Sequence, residues 1–287
     1  MNYEEFKTTL LCRLNDLLPE GVTPKFTSVI KNNDSTHEGI SLPSGDNTVS
    51  PTLYLDNLYS DYTCGTSMDD ITRAVVKTIS PSETPAVLSA ELTDFASVSP
   101  LLGLKLISIE RNRLYLKDVP YRPFQDLAMI CVIRLKVNDQ PAVSTIRYST
   151  LEFWKKTPDE VFTIAMENFL ASPPKLMSML SFMSSHGAKD ISTIPDMYIL
   201  TNEENYCGAI SMANPLALKA IAERIGGSFA IVPSSIHEVL AVSCGDPAEL
   251  EQINRTVRSV NRDTLSPEDI LGDHAYFYDA KTGSISY

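Results

Sequence analysis

The chain has 287 residues and a mass of 31.7 kDa, with 24 Lys and Arg against 36 Asp and Glu, a formal charge of −12. That length is one large domain or two small ones, and 43% hydrophobic with 21% charged residues is the usage of a folded chain, not a disordered one. So acidic a chain excludes nucleic acid or anionic lipid as partners held by net charge, and its longest stretch without a charged side chain, 14 residues at 205–218, is too short for a membrane span and is broken by Asn214-Pro215.

The first element in chain order is a helix, because Tyr3, Phe6, Leu10, Leu14 and Leu17 recur on one stripe until Pro19 and Gly21 stop it. Short β-like runs at 25–30 and 39–42 flank a polar loop, 31–35, expected to be exposed turn chemistry. Two helices are expected next. One starts near Pro51 and runs to Tyr62; the other starts at Ser67, whose hydroxyl caps while Asp70 sits at the third helical position, with Ile71, Val75, Thr78 and Ile79 inward. Residues 80–85, with two prolines, are the best linker in the chain. The domain division expected is therefore a helix-rich region with a short β pair at 1–85 and an α+β domain at 86–287.

The apolar run 101–109 fits strand or helix equally. Arg111, Arg113, Tyr115 and Lys117 alternate as on a solvated strand face. Residues 127–137 read as a strand, buried at one end, returning through 142–148 after the turn Asn138-Asp139-Gln140-Pro141. A helix at 158–170 follows, then the break Pro173-Pro174, and Met177, Met179 and Met183 are read as core filling. The last third reads ββα-ββα-ββ: a hairpin of 197–201 with 208–212, a helix from Asn214-Pro215 to Gly226, strands 228–232 and 236–243, a helix from Asp246-Pro247 with Leu250, Ile253, Val257 and Val260 at steps of 3, 4 and 3, a short helical turn at 266–269, and a hairpin of 276–279 with 284–287. Strands joined by turns pair antiparallel. The recurring Ser80-Pro81, Thr157-Pro158, Asp246-Pro247 and Ser266-Pro267, each with an acid two residues on, are helix starts rather than repeats. The expected fold is α+β, a mostly antiparallel sheet with packed helices, preceded by the smaller helix-rich region.

Chemistry-bearing motifs are sparse. The five cysteines lie at least 37 residues apart and the four histidines form no ligand pair, so no metal site is expected and the thiols should be free, as in a reducing cytoplasm. No phosphate-binding glycine motif, nucleophile elbow or other cofactor signature is present, and no cofactor is expected. The densest polar motif is Pro233-Ser234-Ser235-Ile236-His237-Glu238-Val239. On a strand, His237 and Glu238 would face opposite sides, and Glu238 would share a face with Ile236, Leu240 and Val242, so they form no relay. His237 and His274 start strands of one sheet and are candidates for a shared site, while His37 and His186 are expected to be exposed. The candidate ligand or partner contacts are Ser234, Ser235, His237, Asp273 and His274.

Several segments carry a family resemblance: Pro51-Thr52-Leu53-Tyr54-Leu55-Asp56 with Tyr59 and Gly65; Asp126-Leu127-Ala128; Val232 through Val239; and Ser266-Pro267-Glu268-Asp269-Ile270-Leu271-Gly272-Asp273 with Tyr276 and Tyr278. In this order they resemble a bacterial domain-of-unknown-function family, number 5688, over most of the chain. The resemblance implies a cytoplasmic protein of anaerobic, Gram-positive-type bacteria, and it brings no activity and no catalytic residues. The functional expectation is a soluble cytoplasmic binding or regulatory protein without catalysis, acting on a protein or small-molecule partner and not on nucleic acid or membrane. The alternative is a hydrolase-type enzyme assembled around His237 and His274.

Overall fold

The computed structural model describes residues 1–18, 23–41, 53–79, 93–137, 139–185, 187 and 197–287. The linker at 80–85 and His186 lie outside these described residues. The chain divides into two units, Met1–Lys31 with Ser35–Val98, and Asn32–Asp34 with Ser99–Tyr287.

In the first unit, helix α1 (Tyr3–Leu17) begins with a reciprocal cap: Asn2 Oδ1 accepts from Glu5 N, and the Glu5 carboxylate accepts from Asn2 N. Its stripe buries Phe6, Leu10 and Leu14 completely, while Leu17 at the helix end is exposed. Strands β1 (Lys25–Ile30), β2 (Thr36–Ser41) and β3 (Leu53–Tyr54) form an antiparallel sheet. Helix α2 (Leu55–Thr63) therefore starts later than the sequence suggested, because Leu53 and Tyr54 are held extended against Ile40 and Gly39 of β2. Helix α3 (Met68–Ile79) is capped as expected, with Ser67 Oγ accepting from Asp70 N at 3.1 Å and donating to Asp70 Oδ2 at 2.6 Å. A short turn, α4 (Phe95–Val98), ends the unit. Its core joins Phe6, Leu10, Leu14, Ile40, Leu55, Met68, Ile71 and Val75. Each such side chain contributes about 1.5–3 kcal/mol by leaving water.

The second unit holds two antiparallel sheets. In one, the long central β6 (Leu127–Val137) pairs with β4 (Leu102–Ser108), β5 (Tyr121–Phe124) and β7 (Gln140–Thr145). The ambiguous run at 101–109 is thus a strand. The other sheet has the order β13-β12-β10-β11-β9-β8, from β8 (Lys175–Ser178), β9 (Met197–Thr201), β10 (Phe229–Pro233), β11 (Val239–Ser243), β12 (Tyr276–Asp279) and β13 (Ser284–Ser286). Helices α5 (Tyr148–Trp154), α6 (Pro158–Ala171), α7 (Met179–Ser185), α8 (Pro215–Ile225) and α9 (Leu250–Asp263) connect and cover these sheets. Thr157 and Glu160 make the expected capping box on α6, and Asn214 Oδ1 caps α8 through Leu216 N and Ala217 N.

Several sequence expectations fail for identifiable reasons. Gly208–Ala213 is a 3-10 turn, not a strand. Its run of apolar side chains is buried all round, so no alternation marks it. The loop at 31–35 is not exposed: Asn32 is buried, and Asn33 and Asp34 adopt left-handed backbone. Their side chains replace lost backbone partners, with Asp34 accepting from Leu114 N and Tyr115 N at 2.9 and 2.8 Å. Residues around Arg111 and Lys117 consequently form 3-10 turns and not a strand. The methionines at 177, 179 and 183 are half-buried rather than core.

Gly208 is the tightest point of the second unit. A Cβ there would lie 2.2 Å from Thr201 Oγ1 and 2.7 Å from both Asn202 N and His237 O. Two of those neighbours are backbone and cannot swing away. Gly208→Ala should therefore cost at least about 2 kcal/mol in denaturant unfolding. A loss below about 0.5 kcal/mol, the range of ordinary surface substitutions, would contradict this packing.

Candidate functional site

The motif at 233–239 is a strand end followed by a locked turn. Strand β11 begins only at Val239, so strand alternation does not govern Ile236, His237 and Glu238, and the face assignment made from sequence does not hold. Ser235 is buried and closes the turn: its N donates to Glu238 O, its Oγ donates to Glu238 Oε1 at 2.9 Å, and the same Oγ accepts from His237 N at 3.0 Å. Glu238 is paired with a hydroxyl rather than with a cation.

His237 lies beside three residues that sequence spacing did not associate with it. Its Nδ1 accepts from Cys207 N at 3.1 Å, and its Nε2 stands 3.4 Å from Asp269 Oδ1, with the Tyr206 ring centred 4.9 Å away. Cysteine, histidine and aspartate together resemble the parts of a nucleophilic relay, but the atoms are otherwise committed. A backbone N–H is only a donor, so Nδ1 must be unprotonated and is occupied. The Cys207 thiol is buried, and burial pushes its pKa up, away from the thiolate that attacks.

Asp273 and His274 belong to a second cluster. Asp273 accepts from Arg111 Nη2 at 2.5 Å and from Asn261 Nδ2 at 2.9 Å. Asp126 accepts from the Tyr276 hydroxyl at 2.6 Å, and His274 Nε2 lies 3.5 Å from its other oxygen. The His274 ring stacks on Tyr287 and packs against Tyr276, each centred 5.0 Å away. His237 and His274 share no partner among the described residues. His37 is half-buried, not exposed, between Ser35 Oγ at 2.8 Å and Asp56 Oδ2 at 3.1 Å.

His274 borders an open surface pocket with Pro247, Glu251 and Tyr287, and Ser234 also faces open space. Ser234 lines an apolar crevice of about 270 Å³ between α9 and the sheet. Register places Val232 opposite Leu240, and Met197 opposite Val242, on one sheet face. Helix α9 covers the β10 and β12 part of that face, where Ala230, Leu250, Ala275 and Phe277 form a buried cluster. Leu240 and Val242 on β11 are only half-buried and form one wall. Ile253, Val257 and Val260 form the other. The apolar stripe read from sequence is divided: Leu250 and Val257 are buried, but Val260 is 44% exposed. Asn261 closes the crevice; its Nδ2 donates to Gly272 O and Asp273 Oδ1, each at 2.9 Å. Among the described residues neither the Ser234 hydroxyl nor Asn261 Oδ1 makes a hydrogen bond.

The second unit thus presents an apolar crevice edged by two polar atoms, and a histidine whose Nδ1 is occupied. The chain belongs to the Family of unknown function (DUF5688), whose model matches residues 3–280. No curated protein and no solved structure matches it. Among the described residues, no helix is long and apolar enough to cross a membrane, and no three His, Cys, Asp or Glu side chains are grouped as metal ligands. The family-marking segments of the second unit meet one another here. Asp126 bonds Tyr276, and Asp269 receives Ile236 N at 2.8 Å and contacts His237.

Two measurements test these environments. Cys12 and Cys64 are exposed, whereas Cys131, Cys207 and Cys244 are buried; burial lifts the thiol of Cys131 to about 12 and those of Cys207 and Cys244 above their usual range. Native alkylation near pH 8 should therefore modify two thiols quickly and the other three only after denaturation, as counted by intact mass. Fast labelling of Cys207 would contradict its closed environment. Burial alone would raise the Asp273 and Asp126 carboxyls, but hydrogen bonds to Asp273 from Arg111 and Asn261, and at Asp126 the Tyr276 hydroxyl with the His274 ring close by, outweigh it and hold both below 3.8. A depressed folded pKa gives stability that is complete above the unfolded value and is lost as pH falls through the folded one. The gap in melting temperature between wild type and Asp273→Asn should be constant well above pH 3.8 and close below it; a gap that widens toward acid would reverse the assignment.

Proposed function

We propose that this chain is a binding protein that acts without catalysis, and that its ligand is a small apolar molecule seated between α9 and the β10–β11 hairpin. The observation that carries the reading is the crevice of about 270 Å³, walled by Leu240, Val242, Ile253, Val257 and Val260. Its size lies just below the roughly 300–1,000 Å³ common for small-molecule sites. An apolar body would displace water from both walls, gaining about 25 cal/mol for each Å² of apolar surface removed from water. The Ser234 hydroxyl and Asn261 Oδ1 would orient one polar end of the ligand. Five free thiols support a reducing compartment for this activity. A hydrolytic reading has less support, because His237 spends Nδ1 on a backbone N–H and the Cys207 thiol is buried.

The test is titration with anilinonaphthalene sulfonate, whose fluorescence rises in apolar sites. Wild type should give a saturable rise at a stoichiometry of about one. Val260→Glu, at an exposed helix position, should change stability by no more than about 0.5 kcal/mol and weaken dye binding at least tenfold. Leu240→Gln on the opposite wall should weaken it similarly. Dye binding unchanged in both folded variants would remove the crevice as the site.

A further inference from the structure

Arg134 is the one charged side chain whose buried atom lacks a partner among the described residues. It stands on β6 opposite Val143 of β7. Its aliphatic stem lies across Gly103 of β4, where a Cβ would come within 3.0 Å of Arg134 Cδ and 3.1 Å of Cγ. The missing side chain at 103 thus makes the channel through which the stem passes inward. Nε at the end of that stem is fully buried and unbonded, and no carboxylate pairs with the guanidinium among the described residues. This happens in a chain with 36 acidic residues, where a counter-charge is easy to supply.

An arginine cannot escape this cost by losing its proton. Arg134 as a whole is half-buried, but a fully buried N–H of a charged group without an acceptor is still expensive, so the arrangement favours an anion that supplies one. The guanidinium lines a cavity of about 50 Å³, together with Leu104, Phe169, Pro174, Ile210 and Ser211. At about 10–15 Å³ for each water-sized occupant, only a few non-hydrogen atoms fit inside. The hydroxyls present have already donated: Ser211 Oγ to Thr201 O at 2.9 Å, and Ser172 Oγ to Asn168 O at 3.0 Å. One cation with mainly apolar walls suits a singly charged head on a short hydrocarbon. A phosphate, with more charge and more oxygens, would leave acceptors unpaired.

We infer that this cavity is a binding site for a small aliphatic carboxylate, held by the Arg134 fork. It shares no lining residue with the crevice beside α9, so either site can fail without the other. The fork geometry of arginine matches the two oxygens of a carboxylate.

Sodium propionate is the probe, with propionamide as its neutral isostere and sodium chloride at matched ionic strength. With so few ligand atoms, a Kd on the order of 1 mM is expected. Wild type should show a saturable rise in melting temperature with propionate and none with propionamide. Arg134→Gln should abolish the rise. Gly103→Ala keeps the charge but displaces the stem, and should weaken binding at least tenfold; it serves if Arg134→Gln does not fold. Sodium phosphate should neither mimic nor displace propionate. Equal responses to propionate and propionamide would overturn the proposal, as would no saturable response in wild type or a wild-type response in both variants. Should neither variant fold, saturation-transfer NMR on wild type decides: transfer to the propionate methyl, competed by acetate, supports the site, and its absence overturns it.

Discussion

A buried segment without regular secondary structure must find a partner for every backbone polar group by other means. Residues 270–275 of the second unit, which follow the expected helical turn at Pro267–Asp269, are such a segment, with Ile270, Leu271 and Ala275 buried. Asparagine provides most of the solution, because one amide offers two donors and an acceptor. Asn32 Nδ2 donates to Glu268 O, and Asn33 Nδ2 donates to both Pro267 O and Ile270 O, at 2.6 to 2.8 Å. Asn261 takes Gly272 O and Asn254 Oδ1 takes Ala275 N. Asn112 in turn braces Asn33, accepting from its N at 2.7 Å and donating to its Oδ1 at 3.0 Å. Losing one of these partners would leave a buried polar group unmatched, at about 1–3 kcal/mol each.

The crevice beside α9 follows from that lattice. Asn254 and Asn261 tie the helix to residues 272–275, which continue into β12. A helix so tied lies over β10 and β12. It cannot slide toward β11 to cover Leu240 and Val242 without breaking both ties. The gain from closing would be the burial of a few half-exposed aliphatic side chains, each a fraction of the roughly 1.5–3 kcal/mol for full burial. That is of the same size as the two broken bonds, so the open arrangement holds.

Elements that carry their own start, stop and period were legible in the sequence. Helix α1, the Ser67–Asp70 cap, the Thr157–Glu160 box and the Asn214-Pro215 start each follow from residues within one turn of one another. What was not legible depends on distant partners. Asn32 meets Glu268 across 236 positions, and no local pattern announces it. The loop at 31–35 therefore read as exposed turn chemistry, since asparagine favours both an exposed turn and a buried one with carbonyls to satisfy. Residues 208–212 read as a strand because complete burial erases the alternation that separates strand from helix. Of the candidate site, Ser234 was found through its motif. The opposite wall on α9 showed only as an apolar stripe, which gives the direction of a helix face but not how much of it a sheet will cover.

Donor and acceptor accounting separates structure from site more sharply than residue type does. Cys207, His237 and Asp269 have the composition of a catalytic group, yet the histidine nitrogen that would accept a thiol proton already accepts from a backbone N–H. Ser235 likewise both donates and accepts within its own turn. Groups so engaged hold the turn in place. The buried atoms without partners among the described residues are Asn32 Oδ1, Arg134 Nε and His274 Nε2. His274 Nε2 faces Asp126 at 3.5 Å, and Asn32 is a neutral amide whose donor is used. Arg134 alone combines a permanent charge with a cavity in front of it. By the rule that buried polar groups in folded proteins are paired, the buried Nε of that guanidinium is the charged group among the described residues whose partner the chain does not itself supply.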